Sequence, residues 1–161
     1  SSKDAHDAAV VFTYLTERLQ YHHSDIRQLT ERAVEEGLLK RFLRPNSADD
    51  VRGPWQVMYE QGSGRVVRLP TLETSDQRLD FIVPLAKELS KQLYNGDDRV
   101  IGFRGAHPNY FVSEIMLRGF RRASAERMIE DMKTDMWLRM VFGPPRAPPM
   151  MKLSREALDR Y

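Results

Sequence analysis

Four arginines, Arg104, Arg118, Arg121 and Arg122, are the residues whose type and placement suggest the clearest chemistry. A guanidinium offers planar donors that pair with a phosphate through two parallel hydrogen bonds. Such a cluster suits gripping a nucleic-acid backbone and supplies no nucleophile or base. Arg104 closes the short apolar run of Val100, Ile101 and Phe103, and Gly105 lets the chain turn sharply behind it, which presents the guanidinium at a strand end. For Arg104 the plainer alternative is solvation of that strand end. For Arg121 and Arg122 it is a basic helix end favoured by the helix dipole. Histidines offer a second kind of chemistry, since His22, His23, Asp25 and His107 are metal-ligand and acid–base residue types. Neighbours on an extended chain point to opposite faces, so His22 and His23 do not converge on an ion. His107 beside Pro108 suits packing or a hydrogen bond at a turn better than general-base work. The expectation is therefore a binding protein with no catalytic residue, metal or cofactor.

Charge is distributed unevenly. The net charge is +2, yet residues 1–61 hold 8 Lys or Arg against 10 Asp or Glu, while residues 99–161 hold 12 against 7. Ten of those twelve are arginines, the type suited to phosphate recognition. There is no cysteine, which excludes disulfides, thiolate metal sites and cysteine nucleophiles. No apolar run approaches the roughly 20 residues that cross a bilayer, so no membrane helix is expected. With 161 residues, 41% of them hydrophobic, the chain has material for one ordinary domain or two small ones. It begins Ser1-Ser2, which fits a processed organellar chain, methionine removal and a trimmed chain equally.

The elements that must position these arginines fall on either side of the flexible stretch Gln61-Gly62-Ser63-Gly64, which predicts a small α/β domain over 1–61 and a second over 65–161. In the first, residues 10–14 read as a strand. Ser24 reads as the N-cap of a helix over 25–36, with Ile26, Leu29, Ala33 and Val34 on its apolar face and Gly37 as its C-cap. Residues 38–43 and 55–59 read as strands. In the second, 65–69 reads as a strand and 75–94 as a helix kinked or divided at Pro84. Residues 100–103 read as a strand. Phe111, Val112, Ile115, Met116 and Phe120 recur at helical spacing after Pro108. Ser124 reads as the cap of a further helix through Met132, and 137–142 and 150–153 as strands joined by the loop around Arg146. Met128, Met132, Met136, Met140, Met150 and Met151 are expected in core or sheet packing. The predicted class is α/β of the α+β kind, two small domains, the C-terminal one a two-layer β-α-β-α-β-β sandwich.

That order and one motif resemble the translation initiation factor 3 family of bacteria and organelles. The carrying residues are Gly96-Asp97, Phe103-Arg104-Gly105, Ala106-His107-Pro108, and the closing hairpin Phe142-Gly143-Pro144-Pro145-Arg146 with Met150-Met151-Lys152-Leu153. Residues 25–42 and 55–60 are similar, more loosely, to the family's N-terminal domain. Gly102 stands where the family has its first arginine, the usual Arg-Glu-Met is absent, and the long basic linker is reduced to a few residues around Gly62. These departures fit a diverged mitochondrial member. The resemblance implies a factor in the mitochondrial matrix, or in the cytoplasm of a bacterium. It would bind rRNA and proteins of the small ribosomal subunit, keep the large subunit from joining early and help select initiator tRNA and start codon, without a small-molecule substrate. It implies RNA contacts by Arg104 and Arg146; Arg118, Arg121 and Arg122 join them through the charge cluster alone. The alternative is a permanently bound protein of a ribosome or another RNA–protein assembly. Phe103-Arg104-Gly105 is also similar to the first arginine strand of some ADP-ribosyltransferases, but the chain beyond is too short for that fold and has no Glu-x-Glu.

Overall fold

The computed structural model describes residues 5–19, 22–45, 55–94 and 105–160. The predicted strand at 100–103 and Arg104 itself lie outside the described residues. The chain is α+β, 53% helical and 19% strand. In order it contains β1 (His6–Asp7), α1 (Ala8–Thr13) running into a π-helical turn (Tyr14–Arg18), α2 (His23–Glu35), β2 (Leu39–Pro45), β3 (Trp55–Gln61), α3 (Ser75–Leu93), α4 (Pro108–Leu117), α5 (Arg122–Thr134), β4 (Leu138–Val141), β5 (Met150–Leu153) and α6 (Arg155–Arg160). The first sheet is antiparallel in the order β1-β3-β2 and the second is the β4–β5 hairpin.

Helix α2 starts and stops by local chemistry. The His22 ring caps it, its Nδ1 accepting from the Ser24 N–H, so the cap falls two residues before the predicted Ser24. At the other end Gly37 has φ +76, its N–H bonds the Val34 carbonyl, and the Leu38 N–H reaches back to Ala33. This is the left-handed glycine stop that satisfies the last helical carbonyls. Helix α3 opens with a capping box between Thr74 and Gln77. It runs through Pro84 as one helix, so of the expected kink or division the division does not occur. Pro84 and Asp80, whose carbonyl lost its donor, both lie on the exposed face of the helix, open to solvent. The opposite face buries Leu79, Ile82, Val83, Leu85, Ala86 and Leu89.

Two predicted strands are not strands. Residues 10–14 belong to α1 and the following π turn, with Val10, Phe12 and Tyr14 exposed. β-propensity expresses packing on a pleated surface, and no sheet face covers these side chains. Residues 65–69 form an extended connector in neither sheet. Its backbone is tied instead to the end of α2, through Gly64 N–H to Gly37 O and Val67 N–H to Glu35 O. A Cβ at Gly37 would overlap the Arg65 carbonyl, and one at Gly119 (φ +104) would meet Val67. Glycines on two distant elements thus admit the connector between them. Helix α5 begins at Arg122, before the predicted Ser124, and α6 was not predicted.

The segments on either side of Gly62 share one apolar core. Leu43 of β2 and Trp55 of β3 pack with residues of α3, α4, α5, β4, β5 and α6. The outer edge of β2 lies against α4, where the Ser113 hydroxyl accepts from the Leu43 N–H and donates to its carbonyl, both at 3.2 Å. An edge strand's unpaired backbone groups are thereby satisfied by one side chain of a helix. Arg78 and Asp135 form a two-pronged pair joining the start of α3 to the end of α5.

Candidate nucleic-acid interface

The joint between α4 and α5 gathers three of the predicted arginines. Arg118 caps the end of α4 and donates to the carbonyl and the carboxylate of Glu114, at 2.8 and 3.0 Å. Arg121 is the N-cap of α5, and its Nε donates at 2.9 Å to Glu31 of α2. Arg122 pairs with Glu126 one turn along, at 3.1 Å. Arg121 and Arg122 are exposed, and exposed ion pairs contribute roughly 0–1 kcal/mol, so a phosphate can displace these carboxylates at small cost. Arg146 stands apart on the β4–β5 loop. It occupies a turn closed by the Ala147 N–H to the Pro144 carbonyl, with φ +73. That left-handed conformation costs a non-glycine residue on the order of 1 kcal/mol, held here by the two prolines before it. Phe142, on the same loop, is 79% exposed.

Beneath the joint lies a cationic residue that the sequence reading missed. Arg41 of β2 is 4% exposed, with Nη1 on Glu31 at 2.5 Å and Nη2 facing the Gly119 carbonyl at 3.4 Å. Glu31 thus bridges a buried and an exposed arginine. The Arg41 Nε has no hydrogen-bond partner among the described residues. Arg41 stands opposite Tyr59 in the sheet; burial pushes the Tyr59 phenol up, against the pull of that guanidinium.

Arg41 also lines a groove of about 430 Å³ between β2, the connector and the end of α4. Lys40, Arg65, Arg68 and Arg118 line it as well, and no carboxylate does among the described residues. Lys40, Arg65 and Arg68 have no ion-pair partner among the described residues. Only the spacing of Arg65-Val66-Val67-Arg68 hinted at a basic element there.

Two histidines, His22 and His107, cap helices. His107 caps α4, its Nδ1 accepting from the Asn109 N–H at 3.1 Å, and its ring stacks on Trp55 with centroids 5.8 Å apart. Burial lowers its pKa. Ala106 exchanges two backbone hydrogen bonds with Met151, which fastens the approach to α4 against β5. Among the described residues no three His, Asp or Glu side chains form a metal-binding group. No family model, curated protein or solved structure matches the chain, so the reading of this surface rests on its own residues.

Proposed function

We propose that this chain binds RNA of the small ribosomal subunit and acts as an initiation factor, without catalysis. It would hold off the large subunit and help select initiator tRNA and start codon, in the matrix of a mitochondrion or the cytoplasm of a bacterium. The same surface would serve a role in small-subunit maturation. The observation that carries the reading is the arginine cluster at the α4–α5 joint, continuous with the groove lined by Lys40, Arg41, Arg65, Arg68 and Arg118 and, among the described residues, by no carboxylate. Backbone phosphates spaced along an RNA strand are the natural counterpart of such a stripe. Arg104 belongs to the proposed contact set by its motif, and Arg146 by its place on an exposed loop.

The second reading, a permanently bound protein of an RNA–protein assembly, is favoured by the exposed Phe142 on the loop of Arg146, an apolar side chain suited to a lasting contact. Sedimentation separates the two. A dissociable factor travels with isolated small subunits and is expelled when large subunits join, whereas a permanent component stays with the whole particle. Arg104→Glu is expected to weaken small-subunit binding with the fold unchanged; binding equal to the unaltered protein at moderate salt removes Arg104 from the contact set.

A further inference from the structure

The groove beside the connector has an apolar floor as well as a cationic rim. Val67 and Phe81, both partly exposed, line it, and the Phe81 ring is braced edge-to-face by Phe120 at 5.8 Å. Its volume of about 430 Å³ lies within the roughly 300–1,000 Å³ of small-ligand sites, enough for one nucleotide and too little for a duplex. Single-stranded RNA is recognised by unstacked bases lodged on aromatic or apolar side chains, with flanking phosphates on arginines. We infer that this groove takes one nucleotide of a single-stranded RNA segment, with the base on the floor beside Phe81 and the adjoining phosphates on Arg65 and Arg68.

Two independent observations converge on a ligand. One is the set of rim cations without carboxylate partners among the described residues, Lys40, Arg65 and Arg68. The other is the partly buried Phe81 ring, an apolar surface set beneath those cations. Cations over an aromatic floor are complementary to the phosphates and base of one nucleotide. The glycine contacts at Gly37 and Gly119 fix the connector, so the Arg65 and Arg68 backbone is placed before any ligand arrives. This inference rests on the RNA-binding reading above and adds a strand type and a site to it.

The test uses the full chain and a fluorescein-labelled oligouridylate of about twelve nucleotides, within the usual span of single-strand sites. Arg65→Ala with Arg68→Ala is expected to weaken binding by about tenfold and reduce the log–log salt slope by about 1.4, the value for two phosphates of a single strand. Both side chains are exposed, so circular dichroism should be unchanged. Phe81→Leu, which keeps an apolar floor but removes the ring, should weaken the oligonucleotide and leave heparin binding as it was. The inference is overturned if the double variant binds the oligonucleotide like the unaltered protein. It is equally overturned if a duplex of the same length binds more tightly, or if Phe81→Leu leaves oligonucleotide binding unchanged. If the unaltered protein binds the oligonucleotide through the groove but no small subunits, the ribosomal reading fails and the groove stands. If small subunits bind while the oligonucleotide does not, the groove fails and the ribosomal reading stands.

Discussion

Arg121 and Glu31, ninety residues apart in sequence, meet at 2.9 Å, and the other oxygen of Glu31 receives the buried Arg41. One carboxylate therefore neutralises a guanidinium that the fold needs and another exposed at the proposed RNA surface. The two roles separate on mutation. Glu31→Gln should lower stability by about 1–3 kcal/mol, because Arg41 stays buried without its counter-charge. It should also strengthen RNA binding severalfold, because Arg121 no longer exchanges a carboxylate for a phosphate. Urea unfolding and filter binding read the two effects, and unchanged stability would contradict the bridging role.

The connector's position depends on Gly37. Gly37→Ala combines φ +76 with overlap on the Arg65 backbone and should cost more than about 2 kcal/mol. Gly64→Ala is the control, since it has φ +78 but open space around the added methyl, and should cost only about 1 kcal/mol. Equal losses in urea unfolding would mean that the connector is not held by the close approach at Gly37.

Met136 ends α5 in the left-handed conformation, φ 71, with its N–H on the Lys133 carbonyl and the Trp137 N–H on Met132. Glycine is the residue suited to that position, and the Met136 side chain is exposed. Met136→Gly is expected to stabilise the protein by about 0.5–1 kcal/mol, raising the thermal midpoint by about 1–4 °C. A lowered midpoint would show that the methionine side chain contributes more than its backbone costs.

His107 gives the fold a pH dependence of known sign. Burial holds its folded pKa below the ordinary value of 6.5, so on acidification the unfolded chain takes up the proton first. Stability from this group is full above that value and is lost as pH falls through it toward the folded pKa. The urea midpoint should be lower at about pH 5.5 than at about pH 7.5, and His107→Asn, which keeps an N-cap but does not titrate, should reduce the difference. An undiminished difference in the variant would assign the effect elsewhere.

Much of this fold was legible where local period and burial agree. The ends of α2, its glycine stop, β3 and β5 fall within two residues of their expected places, each bounded by turn residues, while of the expected α2 stripe Ile26 and Val34 are buried and Leu29 is exposed. Residues 10–14 and 65–69 were misread because their β-branched and aromatic content resembled strands with no sheet to join. The three arginines of the proposed RNA surface at the α4–α5 joint follow from charge density at 118–122. The groove did not, because its cations come from β2, the connector and the end of α4. Arg41 and Gly119 are 78 positions apart, and only the folded chain puts them together.

The central claim is that the basic surface at the α4–α5 joint meets RNA phosphates. The most direct test is the affinity of the full chain for isolated small ribosomal subunits across a range of potassium chloride concentrations, compared with an Arg121→Glu, Arg122→Glu double variant. The account predicts a steep linear decline of log affinity with log salt, and a slope shallower by about 1.4–1.8 in the variant. An affinity indifferent to salt, or identical slopes for the two proteins, would contradict it.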